Sequence, residues 1–153
     1  FFFKQKTAYE ISTRDWSSDV CSSDLTLSVH GASNFPLRKQ ISDHDLPLAD
    51  GIEDDDYLRA VAGVLPDLLD TVRPDLVVYN AGVDPHRDDR LGRLALSDGG
   101  LRRRDDLVLA ACLGRGMPVA TVIGGGYDAL DALVARHGLV FAAAAEAARR
   151  HRL

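Results

Sequence analysis

Short apolar runs alternate along the chain with longer amphipathic segments, and the runs predict strands. Three such strands are predicted, over Thr26–His30, Leu76–Asn80 and Pro118–Ile123. The second and third lack charged residues, which is typical of strands that a parallel sheet buries on both faces.

Apolar residues at helical spacing predict helices between these strands. The first begins at the acidic run 54–56, whose carboxylates supply a cap and favour the positive end of the helix. Pro66 should kink that helix or begin a second one. A further helix is predicted over Leu101–Leu113, ended by Gly114.

The last part of the chain predicts three short elements. They are a helix over Asp128–Arg136, a strand over Leu139–Phe141 and a terminal Ala-rich helix. Residues 32–52 and 81–98 show no sustained period and are predicted as loops. The alternation of strands and helices predicts an α/β fold, with a parallel sheet flanked by helices and right-handed crossovers.

The first 25 residues differ in composition from the rest. They contain Trp16, the only tryptophan, and two of the three lysines, but no glycine, proline or histidine. Their string resembles the conceptual translation of a sequencing adapter joined to a gene. We therefore expect residues 1–25 to be a non-native leader and residues 26–153 to form the domain.

Charge and cysteine usage narrow the functional classes. Residues 26–153 carry 15 basic and 19 acidic side chains, which argues against a nucleic-acid partner. The short run Arg102–Arg104 is interpreted as the solvated face of a helix rather than as a nucleic-acid patch. No apolar run reaches the length of a membrane span, so no membrane association is expected. Cys112 is the single cysteine after the leader, which fits a reducing compartment, and we expect a cytoplasmic, bacterial protein.

Ligands of open parallel sheets bind beyond the carboxyl ends of the strands, so the loops after His30, Asn80 and Ile123 are the candidate sites. Asp84 and His86 follow the second strand and could give a metal two ligands, fewer than a catalytic zinc usually takes. On spacing alone, a turn-capping Asp84 and a solvated His86 are favoured. For His30, a structural role is favoured over a site role.

Three glycines and a tyrosine, Gly124 to Tyr127, follow the third strand. Glycines let the backbone approach a ligand, and Tyr127 is placed to donate a hydrogen bond to a developing oxyanion. The same turn, with Ala129, matches the dinucleotide pattern G-x-G-x-x-A, so a nucleotide-binding α/β module is an alternative. No acidic residue ends the following predicted strand to hold a ribose. A tight structural turn is the third interpretation.

Together these segments resemble the histone deacetylase family, in particular its bacterial and class IV-like members. The resemblance rests on Leu27–Pro36, the acidic helix start followed by Tyr57 and Leu58, residues 79–84 with 89–92, and Gly124–Tyr127. It covers residues 26–153 and implies the C-terminal part of the arginase/deacetylase fold.

The resemblance also implies a chemistry. In the family a zinc ion is held by an Asp-x-His motif and a second Asp, which corresponds to Asp84. A tyrosine that corresponds to Tyr127 helps polarise the acetyl carbonyl, and Gly125 and Gly126 would line the substrate. The implied reaction is hydrolysis of an acetylated lysine or a small acetylated amine such as a polyamine.

The sequence departs from the family in one respect. It contains no Asp-x-His motif before a strand and no pair of consecutive histidines. In the family both lie upstream of the segment that resembles Thr26. We therefore expect a truncated fragment that retains little zinc and is inactive alone. A non-catalytic remnant that binds acyl groups or a partner is a further alternative. The missing strands should leave at least one apolar sheet edge unpaired.

Overall fold

The computed structural model of the chain describes residues 2–4 and 24–153. In the described residues the elements follow in the order β1 (Phe2–Lys4), β2 (Asp24–Gly31), β3 (His44–Leu48), α1 (Asp54–Val72), β4 (Leu76–Asn80), α2 (Asp98–Leu113), β5 (Val119–Val122) and α3 (Leu130–His151).

The strands form one sheet in the order β3-β2-β1-β4-β5. β2 pairs with β3 in parallel, and β4 pairs with β5 in parallel. β1 lies between the two pairs and runs antiparallel to both β2 and β4. Strands β2 to β5 therefore all point the same way, and their carboxyl ends meet at one edge of the sheet.

This architecture confirms the predicted α/β class, with one exception to the parallel pattern. The exception is β1, which belongs to the segment expected to be a leader. Its three residues pair with residues 24–26 of β2 and residues 76–78 of β4. The two outer edges differ: β5 exposes Val122 and is followed by exposed Ile123, whereas the β3 edge exposes His44 and Asp45.

The helices pack side by side, α1 against α2 and α2 against α3. Leu65 and Leu69 of α1, Val77 of β4, and Leu101 and Val108 of α2 are fully buried in the shared core. None of the helices in the described part of the chain is long and apolar enough to cross a bilayer.

A second helix does not begin at Pro66, because α1 continues through it to Val72. A proline removes one helical hydrogen bond, but buried leucines lie on both sides of Pro66 and hold the two halves against the same core. The helix ends at Arg73, whose left-handed backbone lets its N–H reach the carbonyl of Leu69 (2.9 Å). The three acidic residues lie in the first turn rather than at the cap, which is Glu53.

The strand predicted over Leu139–Phe141 is also wrong, because α3 is one helix from Leu130 to His151. The sequence pattern predicted a helix before Gly138 and a strand after it. The backbone of Gly138 remains helical, and Arg136, Val140, Ala143 and Ala147 form the buried stripe at helical spacing. Burial of that stripe outweighs the weak helix propensity of one glycine.

The long loop predicted over residues 32–52 contains a strand, β3. Its sequence mixes charge and proline because it is an edge strand with mostly exposed side chains, and only Leu48 is buried. Helix α2 begins at Asp98, earlier than predicted, because Ser97 caps it by accepting a hydrogen bond from the N–H of Gly100 (3.0 Å).

Candidate active site

Two loops lie against each other at the carboxyl edge of the sheet, one after β4 and one after β5. The parallel pairing of these strands continues into both loops. The N–H of Ala81 donates to the carbonyl of Val122 (2.9 Å), and the N–H of Val83 donates to the carbonyl of Gly124 (3.1 Å). The segment 81–84 is thereby placed directly beside the glycine-rich turn.

The carboxylate of Asp84 lies against the backbone of that turn. A Cβ built on Gly125 would overlap Asp84 Oδ1, and one built on Gly82 would lie 2.8 Å from the same oxygen. Gly125 also has a positive φ of 62°. Glycine is therefore required at position 125 both for backbone conformation and for the approach of the carboxylate.

The environment of Asp84 disfavours its charge. Burial raises the pKa of this carboxyl, the negative charge of Asp89 raises it further, and Arg104 opposes the shift. A partly buried carboxylate without a matching cation in contact costs free energy when it ionises. Such a group is a candidate for binding a cation or for holding a proton.

Tyr127 follows the glycines, and its side chain is 52% exposed. Its backbone N–H donates to Asp89 Oδ2 (2.7 Å). The preceding Gly126 has a φ of 98°, and a Cβ there would meet Val83 and Leu133 at 2.6 and 2.7 Å. The turn therefore brings Tyr127 to the same edge of the sheet as Asp84, while its ring remains accessible.

Asp89 is a site residue to which the sequence pattern assigns no role. Its carboxylate is 9% exposed, and it accepts hydrogen bonds from the N–H groups of Leu91 (2.9 Å) and Gly92 (2.7 Å) as well as from Tyr127. A short polar side chain that accepts from residues two and three positions later is typical of an Asx turn. That local signal was present in the sequence, but the contact with Tyr127, 38 residues away, was not.

His86 is not solvated as predicted, but is 4% exposed. Its Nδ1 accepts from the N–H of Asp88 (3.1 Å), and its Nε2 lies 3.3 Å from a carboxylate oxygen of Asp98. Burial, and secondarily Arg136, lowers the pKa of this imidazole. The residue therefore fixes the loop after β4 to the start of α2.

A buried polar cluster supports the loop after β4 from below. Arg104 donates from Nη1 to the carbonyl of Gly82 (2.6 Å) and from Nε and Nη2 to Asp105 Oδ1 (3.0 and 2.9 Å). The hydroxyl of Tyr79 donates to the same Asp105 oxygen, and Arg104 lies over the Tyr79 ring. Burial raises the pKa of Tyr79 well above its usual value, which keeps the phenol neutral.

This cluster corrects the prediction that Arg102–Arg104 is a solvated face. Arg102 and Arg103 do form ion pairs at the surface, but Arg104 is 5% exposed. The sequence contained the signal, because Arg104 and Asp105 share the helical stripe of Leu101, Val108 and Cys112, which are all buried.

A cavity of about 360 Å³ opens between β2 and β4 beside these groups. Ser28, Asn80, Asp84 and Arg104 contribute to its lining. His30 lies at the end of β2, where its Nδ1 is 2.8 Å from the hydroxyl of Ser28. Burial lowers the pKa of His30, which favours the neutral ring and agrees with a structural role.

The described residues do not fit a complete catalytic zinc centre. No group of three or more His, Cys, Asp or Glu side chains in residues 2–4 and 24–153 is arranged to hold a metal. Of the side chains near Asp84, Asp89 is occupied by backbone N–H groups, and His86 faces Asp88 and Asp98. A catalytic zinc usually takes three protein ligands.

This geometry disfavours the nucleotide-binding alternative, and Cys112 is not a candidate nucleophile. The Asp84 carboxylate lies against the glycine turn, where it would repel the phosphates of a dinucleotide. Burial raises the pKa of Cys112 to about 11, so its thiol is neutral at pH 7 and a poor nucleophile.

The strands with a common direction, the carboxylate after β4 and the Gly-Gly-Gly-Tyr turn after β5 define an α/β protein of the arginase/deacetylase fold. Residues 18–143 match the sequence profile of the histone deacetylase domain. The chain therefore belongs to the histone deacetylase family.

Individual relatives agree with this assignment. The chain is 54% identical over 121 residues to an uncharacterized protein of Picosynechococcus sp., covering 78% of this chain and 40% of the relative. It is 32% identical over 89 residues to histone deacetylase 2 of Arabidopsis thaliana, covering 58% and 23%. The crystal structure of acetylpolyamine aminohydrolase from Burkholderia pseudomallei aligns with a TM-score of 0.65 at 25% identity, over 78% of this chain and 37% of that one. The chain thus spans less than half the length of each.

Proposed function

We propose that residues 26–153 carry one part of the active centre of a zinc-dependent deacetylase, which hydrolyses the amide of an acetylated amine. The observation that carries the proposal is the contact between the Asp84 carboxylate and the turn that ends in Tyr127. It joins a candidate metal ligand and a candidate oxyanion donor at the sheet edge where ligands bind.

The four site residues have three roles in this proposal. Asp84 supplies one carboxylate ligand. The Tyr127 hydroxyl donates a hydrogen bond to the carbonyl oxygen of the substrate as negative charge develops there. Gly125 and Gly126 line the substrate with backbone that carries no side chain. When bound, the zinc would act as a Lewis acid on the carbonyl.

We further propose that this chain alone does not turn over substrate. Asp84 is a single candidate ligand, and the described residues contain no group of three or more His, Cys, Asp or Glu side chains that could hold a metal. Purified chain should bind less than stoichiometric zinc, measured by mass spectrometry after desalting, and should release no acetate from acetyl-lysine peptides or acetylpolyamines. Stoichiometric zinc with turnover that Tyr127→Phe abolishes would contradict this.

A chimera tests the roles of the residues themselves. The 121 matched residues of the Picosynechococcus relative would be replaced by the corresponding residues of this chain. We expect the chimera to bind zinc and hydrolyse acetylated amines, Asp84→Asn to lose the zinc, and Tyr127→Phe to lower kcat by about 100- to 1,000-fold with zinc retained. Asp56→Asn is the control for Asp84, because Asp56 is exposed in the first turn of α1 and pairs only with Arg59 among the described residues. A chimera that binds zinc but hydrolyses neither substrate class would refute the proposed activity.

The substrate class is proposed as acetyl-lysine or a small acetylated polyamine. Relatives named as histone deacetylase and as acetylpolyamine aminohydrolase support the two options equally. The ratio of kcat/KM for an acetyl-lysine peptide and for an acetylpolyamine, measured on the chimera, distinguishes them.

A further inference from the structure

Asp89 connects the two loops of the candidate site through its two carboxylate oxygens. Oδ1 accepts from Leu91 and Gly92 of its own loop, at 2.9 and 2.7 Å. Oδ2 accepts from the N–H of Tyr127, at 2.7 Å. In the described part of the chain no cation pairs with this buried carboxylate, so its charge is balanced by backbone N–H groups.

Glycines at key positions of both loops make such a connection important. Gly125 and Gly126 have positive φ and provide no side chain to restrict the turn. Gly92 lies so close to the carbonyl of Asp84 that a Cβ there would overlap it. The backbone that presents Asp84 is therefore packed against the loop that Oδ1 holds, while Oδ2 holds the first residue after the glycines.

We propose that Asp89 is a positioning residue that fixes Tyr127 relative to Asp84. The inference deepens the proposed function and rests on it for its catalytic meaning, although the geometry can be tested without turnover. A hydrogen bond to a charged acceptor is roughly twice as strong as a neutral one, so a carboxylate suits this task better than an amide.

Asp89→Asn tests the inference, because a carboxamide has one acceptor oxygen and one NH₂ group. With the oxygen serving Leu91 and Gly92, the NH₂ faces the N–H of Tyr127 and cannot accept from it. In the full chain we expect hydrogen-exchange protection of the Tyr127 amide to fall by about 10- to 100-fold. The amides of Val61 and Leu65 in α1, which report global stability, should keep theirs.

Asp88→Asn is the matched control. Asp88 is adjacent and exposed, and its carboxylate pairs with Arg136 at 3.3 Å and lies 3.7 Å from His86, whereas the N–H of Tyr127 donates to Asp89. A second readout is the fluorine NMR spectrum of fluorotyrosine-labelled chain, in which the Tyr127 signal is assigned by its loss in Tyr127→Phe. Asp89→Asn should shift that signal and leave those of buried Tyr57 and Tyr79 in place, whereas a general loss of structure would move all three.

Several results would overturn the inference. Unchanged Tyr127 exchange in Asp89→Asn would do so, and so would an equal effect of Asp88→Asn. If Asp89→Asn does not fold, Asp89→Glu retains the charge but displaces the oxygens by one methylene. It should then shift the Tyr127 signal selectively, and an unshifted signal would refute the inference. If the chimera is inactive but Asp89→Asn still lowers the protection of the Tyr127 amide, only the proposed activity is refuted.

Discussion

Single buried charges determine how the loop after β4 is built. Asp84 lies beside the glycine turn, and no cation among residues 2–4 and 24–153 forms an ion pair with it. Arg104, in contrast, is surrounded by the Asp105 carboxylate, two tyrosines and a backbone carbonyl. Burial acts to lower the pKa of Arg104, but these partners outweigh it and hold the guanidinium charged. The two residues therefore contribute to stability in opposite directions.

Asp84→Asn should stabilise the chain at neutral pH. Because the folded-state pKa of Asp84 is raised, folding opposes ionisation, and the resulting penalty grows as pH rises from the unfolded pKa through the folded one. Asparagine removes that penalty, and we expect a gain of about 0.5–2 kcal/mol at pH 7, the usual range for a favourable substitution. Urea titrations at pH 7 and pH 3 check it.

The gain should disappear at pH 3, where the carboxyl is protonated in both states. Equal gains at pH 3 and pH 7 would show that the effect does not arise from the charge. Glu53→Gln, at an exposed position, is the control.

Arg104→Met should destabilise the chain strongly. The substitution leaves the Asp105 carboxylate and the Gly82 carbonyl without their buried partner, and such a loss typically costs about 3–5 kcal/mol. Arg103→Met, at an exposed ion pair, should cost no more than about 1 kcal/mol. Similar urea midpoints for the two variants would contradict the buried role of Arg104.

At the scale of elements, helix α3 shows how tertiary packing overrides a local break. Its sequence contains Gly138 followed by Leu, Val and Phe, a pattern that predicts a turn and a strand. The structure continues as a helix because the buried stripe from Arg136 to Ala147 needs the 3.6-residue period on both sides of the glycine.

Gly138→Ala should therefore stabilise the chain by about 0.5–1 kcal/mol, the usual difference between these residues inside a helix. A Cβ at this position meets no atom within 4 Å. Gly126→Ala is the opposite case, because it combines a φ of 98° with close contacts, and it should destabilise. Thermal unfolding of the two variants measures both effects, and a destabilised Gly138→Ala would argue against a continuous α3.

At the scale of the whole molecule, β1 joins two halves of the sheet. Its backbone pairs with β2 on one side and β4 on the other, while β2 and β4 form their other pairs with β3 and β5. Loss of this strand would separate the half that carries β2 and β3 from the half that carries the candidate site.

Phe3→Pro should weaken this junction, because proline cannot donate to the strand ladder and is confined to edges and bulges. We expect a loss of more than about 1 kcal/mol, the span of ordinary strand propensities. The urea midpoint should fall, and the slope should change if the halves unfold separately. Phe3→Val, a good strand former, is the control, and equal midpoints for both variants would show that β1 does not stabilise the sheet.

The sequence predicted the α/β class and the strands at β2, β4 and β5 from their short apolar runs. The expectation that the third of these strands is buried on both faces is wrong, because β5 lies at the edge of the sheet and exposes Val122. The sequence missed β3, whose exposed edge position permits charge and proline. Asp84 and Tyr127 remain predicted site residues: both follow strands in the sequence, and the metal role of Asp84 was implied by the family resemblance. The sequence could not assign roles to Asp89 and Arg104, because their partners, Tyr127 and Gly82, are distant in the chain and reached only through folding.

The direction of β1 determines at which edge of the sheet this strand ends. Lys4, the last residue of β1, pairs with Asp24 and Leu76 at the start of β2 and β4, so the chain leaves β1 at the edge opposite Asp84. A central strand of either polarity satisfies the backbone of its neighbours, but only a parallel one ends where Asp84 and Tyr127 lie. β1 therefore completes the hydrogen bonding of the sheet, but its last residue lies away from the edge that carries Asp84 and Tyr127.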